Sequence, residues 1–123
     1  MFNGQALKDF EKWYNKSNIL CFNCIEYDAG DSSGYMYIDL DNFYRLSPSM
    51  QSGVYLEWLR SVGIVVTVSI SIRSASYSYD IWDIKAIRPN NVFCKQGYTF
   101  TDYNTALTEA ITKAGEIYNG IPT

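Results

Sequence analysis

The sequence predicts an α+β fold: an antiparallel sheet of about four to five strands with helices packed on one face, in the order α-β-β-α-β-β-(β)-α. Three observations carry that prediction. From residue 66 to residue 72 the even positions are Val or Ile, while Thr67, Ser69 and Ser71 hold the odd ones. Period-two alternation puts the branched side chains on one face and the hydroxyls on the other, as in a half-buried strand. Residues 103–118 instead repeat apolar side chains every three or four positions, as a helix lying on a sheet requires. The candidate strands also come as adjacent pairs without crossover helices between them, which argues against a doubly wound parallel sheet. At 123 residues, 47% of them apolar, the chain suits a single domain over residues 1–123.

In chain order, residues 2–16 read as an amphipathic helix. Phe2, Ala6, Phe10 and Trp13, with Leu7 and Tyr14 beside them, form its apolar stripe, and Lys8, Lys12 and Lys16 mark another face. Residues 19–27, apolar through Ile25, read as a strand covered on both faces. Cys21 and Cys24 form a Cys-x-x-Cys pair inside it, but positions three apart in a strand point to opposite faces. With no His and only Cys94 as a third sulfur, a tetrahedral metal would lack ligands. Buried structural thiols are expected, with no metal and no cofactor. Residues 28–34 lack the spaced acidic ligands of a calcium loop and read as a hairpin connection to a strand over 35–40, which places Asp39 and Asp41 on one face.

Ser47-Pro48 is a helix start, a capping hydroxyl followed by proline at the first helical position. Met50, Val54 and Trp58, with Tyr55, Leu59 and Val62, form the stripe of that helix. Gly53 inside it suggests close approach of another backbone, and Gly63 supplies the stop. The strand within residues 63–73 is expected at the centre of the sheet. Residues 74–76 turn the chain into a partner strand over 77–84, where Tyr77, Tyr79 and Ile81 share one face and Ser78, Asp80, Trp82 and Ile84 the other. Residues 92–95 and 98–100 add a short edge hairpin. Thr101 or Asp102 caps the last helix, whose buried positions are Tyr103, Ala106, Leu107, Ala110, Ile111, Ala114, Ile117 and Tyr118.

Net charge is −3 and the pI about 4.8. Binding dominated by phosphate contacts rests on clustered Lys and Arg, so a nucleic-acid partner is disfavoured, the Lys8-Lys12-Lys16 ladder being its one candidate surface. No apolar run approaches the ~20 residues that span a bilayer, and no charged-then-apolar leader opens the chain. A cytoplasmic protein without a membrane partner is expected.

Two segments carry a resemblance. Ser49-Met50-Gln51-Ser52-Gly53-Val54-Tyr55, leading to Ser61-Val62-Gly63-Ile64, resembles a turn-helix-strand pattern in small uncharacterised proteins of phages and gut bacteria. Glu109-Ala110-Ile111, through Ala114 and Glu116-Ile117-Tyr118-Asn119, is similar to the closing helix of the same group. The resemblance implies a helix-strand order and an accessory protein of a mobile element, working in a bacterial host cytosol if phage-encoded. It supplies no activity and no catalytic residues.

Eleven Tyr, six Phe and three Trp in a small acidic chain favour a non-enzymatic protein that binds a protein partner or itself. The candidate contact residues are Tyr77, Tyr79, Asp80, Trp82 and Asp83. The sharpest form of that reading is a phage-encoded inhibitor of a host protein, since an acidic surface can imitate nucleic acid. A small enzyme is the alternative; without His it would rely on Asp39, Asp41, Asp80 and Asp83, with Tyr as acid or base.

Overall fold

In a computed structural model, the described residues are 1–17, 26–29, 32–35, 38–85 and 88–120. They form helices α1 (Gly4–Ser17), α2 (Leu40–Phe43), α3 (Pro48–Ser61) and α4 (Tyr103–Gly120), and strands β1 (Glu26–Ala29), β2 (Ser32–Tyr35), β3 (Ile64–Ser71), β4 (Ser76–Asp83) and β5 (Asn90–Cys94). The class is α+β. The described strands fall into two sheets: a three-stranded antiparallel sheet in the order β3-β4-β5, and β1 paired with β2 as a separate hairpin. The long alternating strand, expected at the centre, is therefore an edge of the described sheet, and β4 takes the middle.

The pairing of β1 with β2 reaches further into the polar stretch than expected. Most of the polar stretch from 28 to 34 pairs in register, Asp28 with Ser33 and Ala29 with Ser32. The strand expected over 35–40 does not extend to its end, because Leu40 opens α2 and Asp39 caps it. The Asp39 carboxylate accepts from the Asn42 amide at 2.9 Å, a stronger local claim on the chain than strand pairing. Cys21, Cys24 and most of the strand expected over 19–27 lie outside the described residues.

The core is aromatic. On α1, Phe2, Ala6, Phe10 and Tyr14 are buried, while Leu7 and Trp13 pack at its margin. The Phe10 ring has six aromatic neighbours, Phe2, Trp13, Tyr14, Phe43, Tyr55 and Trp58, with centroids 4.9–6.1 Å away. Edge-to-face and tilted pairs of this kind add about 0.5–1.5 kcal/mol each beyond the area they bury. Phe10 thus ties α1 to α2 and α3 in one cluster. Lys8, Lys12 and Lys16 are exposed, on the side that the stripe predicts.

Ser47 accepts from the Met50 amide and Pro48 takes the first helical position of α3. Val54, Tyr55, Trp58 and Leu59 are buried, but Met50, on the opening turn, is exposed. Gly63 ends the segment at φ +84°, and a Cβ there would come within 2.3 Å of the Lys85 side chain. Gly53 does not have the role expected of it: it is exposed, and a Cβ would meet nothing within 4 Å. The close approach lies at Gly115 of α4 instead, where a Cβ would sit 2.6 Å from the Phe2 ring.

Helix α4 starts at Asp102, whose carboxylate accepts from the Thr105 amide at 2.9 Å. Ala106, Leu107, Ala110, Ile111 and Ala114 are buried beneath it, whereas Tyr103 is half exposed. Near its other end Asn119 closes the start of α1. Its side-chain oxygen accepts from the Ala6 amide at 2.7 Å, and its nitrogen donates to the Asn3 carbonyl at 2.8 Å. A residue 113 positions away in sequence thus satisfies an amide that a helix start leaves open.

Two predictions follow from this packing. Gly53→Ala raises stability by about 0.5–1 kcal/mol, because helix propensity improves and nothing obstructs the methyl group; the urea midpoint measures it. The second concerns alkaline pH. Burial, with the charge of Glu11, pushes the Tyr55 hydroxyl up to about 12, and the hydrogen bond to Asp9, with burial, does the same for Tyr118. An unfolded tyrosine titrates near 10. The stability these groups contribute is fully present below that pH and is lost as pH rises through about 12. Unfolding free energy measured across that window falls, and Tyr55→Phe reduces the steepness of the fall.

Candidate functional site

Strand alternation divides the five residues proposed for contact. β4 pairs with β3 so that Tyr77 lies opposite Ile70, Tyr79 opposite Val68, Ile81 opposite Val66 and Asp83 opposite Ile64. Directly paired residues share a face, and this is the face covered by α3 and α4. Asp80 and Trp82 lie on the other face, opposite Thr67 and Val65. The structure therefore does not assemble the five into one surface.

Each of the five has local partners. Tyr79 is buried, stacked on Phe93 at 5.8 Å, and its hydroxyl donates to Glu109 at 2.9 Å. Tyr77 meets Tyr103 edge to face at 5.8 Å. The Trp82 indole donates to the Thr67 hydroxyl at 3.0 Å, and Asp80 accepts from the Asn91 side chain at 3.2 Å. Asp83 accepts from the Lys85 amide at 2.9 Å. The two aspartates of β4 are on opposite faces, Asp39 caps α2, and Asp41 lies within it. No two of these four carboxylates are brought to a shared cavity among the described residues.

Sequence reading missed a groove of about 280 Å³ between α4 and the β4–β5 end of the sheet, lined by Tyr79, Phe93, Lys95, Glu109, Lys113 and Glu116, among others. Glu109 also pairs with Lys95 at 3.5 Å, and Lys113 stands 4.7 Å from the Phe93 centroid and 3.8 Å from Glu116. Burial and the Glu109 carboxylate push the Tyr79 hydroxyl well above the usual tyrosine range. That phenol holds its proton at neutral pH and cannot serve as a base there. The charges of the groove are matched within it. Glu109, Lys113 and Glu116 stand four and three positions apart along α4, but nothing in the sequence assigns them Lys95 or Phe93 as neighbours.

Cys94 is exposed on β5 opposite Asp80, and that carboxylate pushes its thiol upward. A raised thiol is a weak nucleophile at neutral pH. Among the described residues no group of three His, Cys, Asp or Glu side chains is placed to hold a metal ion, and no helix is long and apolar enough to cross a membrane.

The edges of the three-stranded sheet differ sharply. β5 is short, follows Pro89, and skips Val92 in a register shift between Ile81 and Trp82. Bulges, prolines and short length are the devices by which sheets discourage pairing at an edge. β3 has none of them. It runs for eight residues, IVVTVSIS, without proline or bulge, and the chain has no charged residue between Arg60 and Arg73. Among the described residues no strand pairs with its outer edge.

Four backbone bonds fix which groups face outward. The Ile84 amide donates to the Gly63 carbonyl at 2.9 Å, while Tyr77 exchanges bonds with Phe100, and Tyr79 accepts from Lys95, on the opposite side of β4. Antiparallel pairing alternates, so the odd residues of β3 bond to β4. Ile64, Val66, Val68 and Ile70 direct their amides and carbonyls to the outer edge. Their side chains lie on the helix-covered face, where Ile70 is still 50% exposed.

Compared with known proteins, the chain matches no family model, no curated protein and no solved structure.

Tyr79→Phe removes the hydroxyl that links β4 to Glu109 while leaving the Lys95–Glu109 pair in place. Chemical denaturation should record a loss of about 1 kcal/mol, the net value of one such hydrogen bond.

Proposed function

We propose that this chain is a non-enzymatic protein-binding module whose contact element is the outer edge of β3. The supporting observation is the row of outward-directed amides and carbonyls on Ile64, Val66, Val68 and Ile70, on a strand without charge, proline or bulge. Such an edge takes up an extended segment through main-chain hydrogen bonds, and the alternating side chains supply selectivity. The hydroxyl face of Thr67 and Ser69, with Trp82 beside it, borders the same edge and extends the area a bound segment can touch. The enzyme reading loses support from the separation of Asp80 from Asp83 and of both from α2. The lysine ladder of α1 remains an exposed cationic strip, but Asp9 and Glu11 lie between Lys8 and Lys12 and the chain as a whole is acidic.

A synthetic copy of residues 63–73, which carries one charge at Arg73, is a suitable extended probe. Added to the isotopically labelled protein, it shifts the amide signals of Ile64, Val66, Val68 and Ile70 more than those of β5. Shifts confined to β5 or α1, or none up to saturating peptide, contradict this assignment of the contact element.

A further inference from the structure

Resting on that reading, we propose a specific partner for the edge: β3 of a second copy of this chain, paired antiparallel about a two-fold axis at Thr67. A two-fold axis brings a strand against itself, so the strand must be compatible with its own reversed sequence. Three features of β3 meet that condition.

The first is hydrogen-bonding phase. In an antiparallel pair, residues that exchange bonds lie directly opposite one another. With Thr67 facing Thr67 of the second copy, Val66 falls opposite Val68 and Ile64 opposite Ile70. All four are the outward-directed residues. Every outward-directed amide and carbonyl of the strand then finds a partner, giving about eight hydrogen bonds across the axis. A shift by one position in the pairing would set outward-directed residues against inward-directed ones and leave both unmatched.

The second feature is side-chain pattern. The same register sets Val against Val and Ile against Ile on the helix-covered face. It sets Thr67 against Thr67, and Val65 against Ser69, on the other. Thr–Thr and branched apolar pairs are favourable cross-strand neighbours. Ile70, half exposed in the single chain, gains Ile64 of the second copy as its neighbour, and Ile64 is buried in the chain's own core. The third feature is charge. The strip between Arg60 and Arg73 carries no charged residue in a chain where charged residues make up 19%. No like charges meet across the axis, although every residue meets its own sequence. A partner of unrelated sequence would need a matching pattern of its own; a second copy has it by symmetry. The product is a continuous six-stranded sheet, β5-β4-β3-β3-β4-β5, with the helices of both copies on the same face.

Two substitutions separate this arrangement from others. The Val68 amide points away from β4, so Val68→Pro removes a donor from the outer edge and leaves the β3–β4 bonds intact; edge positions are where sheets accept proline. Ile70→Lys sets a charge beside the axis at a site that is half exposed in the single chain, and serves if the proline variant fails to fold. Sedimentation equilibrium of the wild-type protein, over a roughly hundredfold range of concentration, is expected to show reversible association from 14.1 kDa to twice that mass. Each variant is expected to raise the dissociation constant by about tenfold or more, since symmetry removes every lost contact twice. A wild-type protein that stays monomeric throughout overturns the self-pairing and leaves the β3 edge open to a different protein. A dimer whose dissociation constant neither variant changes overturns both, because the contact then lies elsewhere.

Discussion

Ala106, Ala110 and Ala114 bring α4 down onto β3 and β4, and Gly115 on the next position gives the Phe2 ring room to enter. This seating organises the rest of the chain. It fixes which face of the sheet is covered and buries Tyr79 and Ile81 beneath the helix. It also holds Asn119 where it can close the first turn of α1. The Phe10 cluster then joins α1, α2 and α3 on the same side. Packing at interior density allows little freedom here, so a larger residue along this side of α4 would be felt at the sheet and in the aromatic cluster together.

The helices were largely legible because their signals are local. Ser47-Pro48, Gly63 and Asp102 act within a few residues of where they stand, and the stripes of α1 and α4 repeat often enough to set a face. Boundaries were less so: Tyr103 and Met50 fall on the predicted stripes but stand in the opening turns of their helices and remain exposed. Gly53 was misread because a glycine in a helix carries two opposite meanings, close packing or mere tolerance, and only the surroundings choose between them. At Asp39 the alternation of residues 35–40 points to a strand, but a carboxylate three residues before an open amide makes a cap.

The position of β3 in the sheet was not legible for a different reason. A half-buried alternating strand has the same sequence pattern at a centre and at an edge, since pattern reports faces and says nothing of edges. Its lack of charge was visible in the sequence, but β5 is uncharged as well; greater length and the absence of proline and bulge distinguish β3 once the topology is known. The candidate contact residues on β4 stand out for their aromatic and acidic character, yet as the middle strand of the described sheet β4 is paired on both edges and its large side chains have partners. Chemistry that looked available in one dimension is engaged in three.

An unguarded edge is a liability in a protein that never uses it, because it offers a template to any extended chain. The whole functional reading therefore depends on whether the outward amides of β3 are free in the single chain. Amide hydrogen exchange on the protein at high dilution tests that residue by residue. The predicted result is alternation, with the amides of Val66 and Val68 exchanging faster than those of Val65 and Thr67, by about tenfold or more. Uniform strong protection from Ile64 to Ile70 at dilutions where the protein is monomeric would contradict it, and would mean that another part of the same chain already occupies the edge.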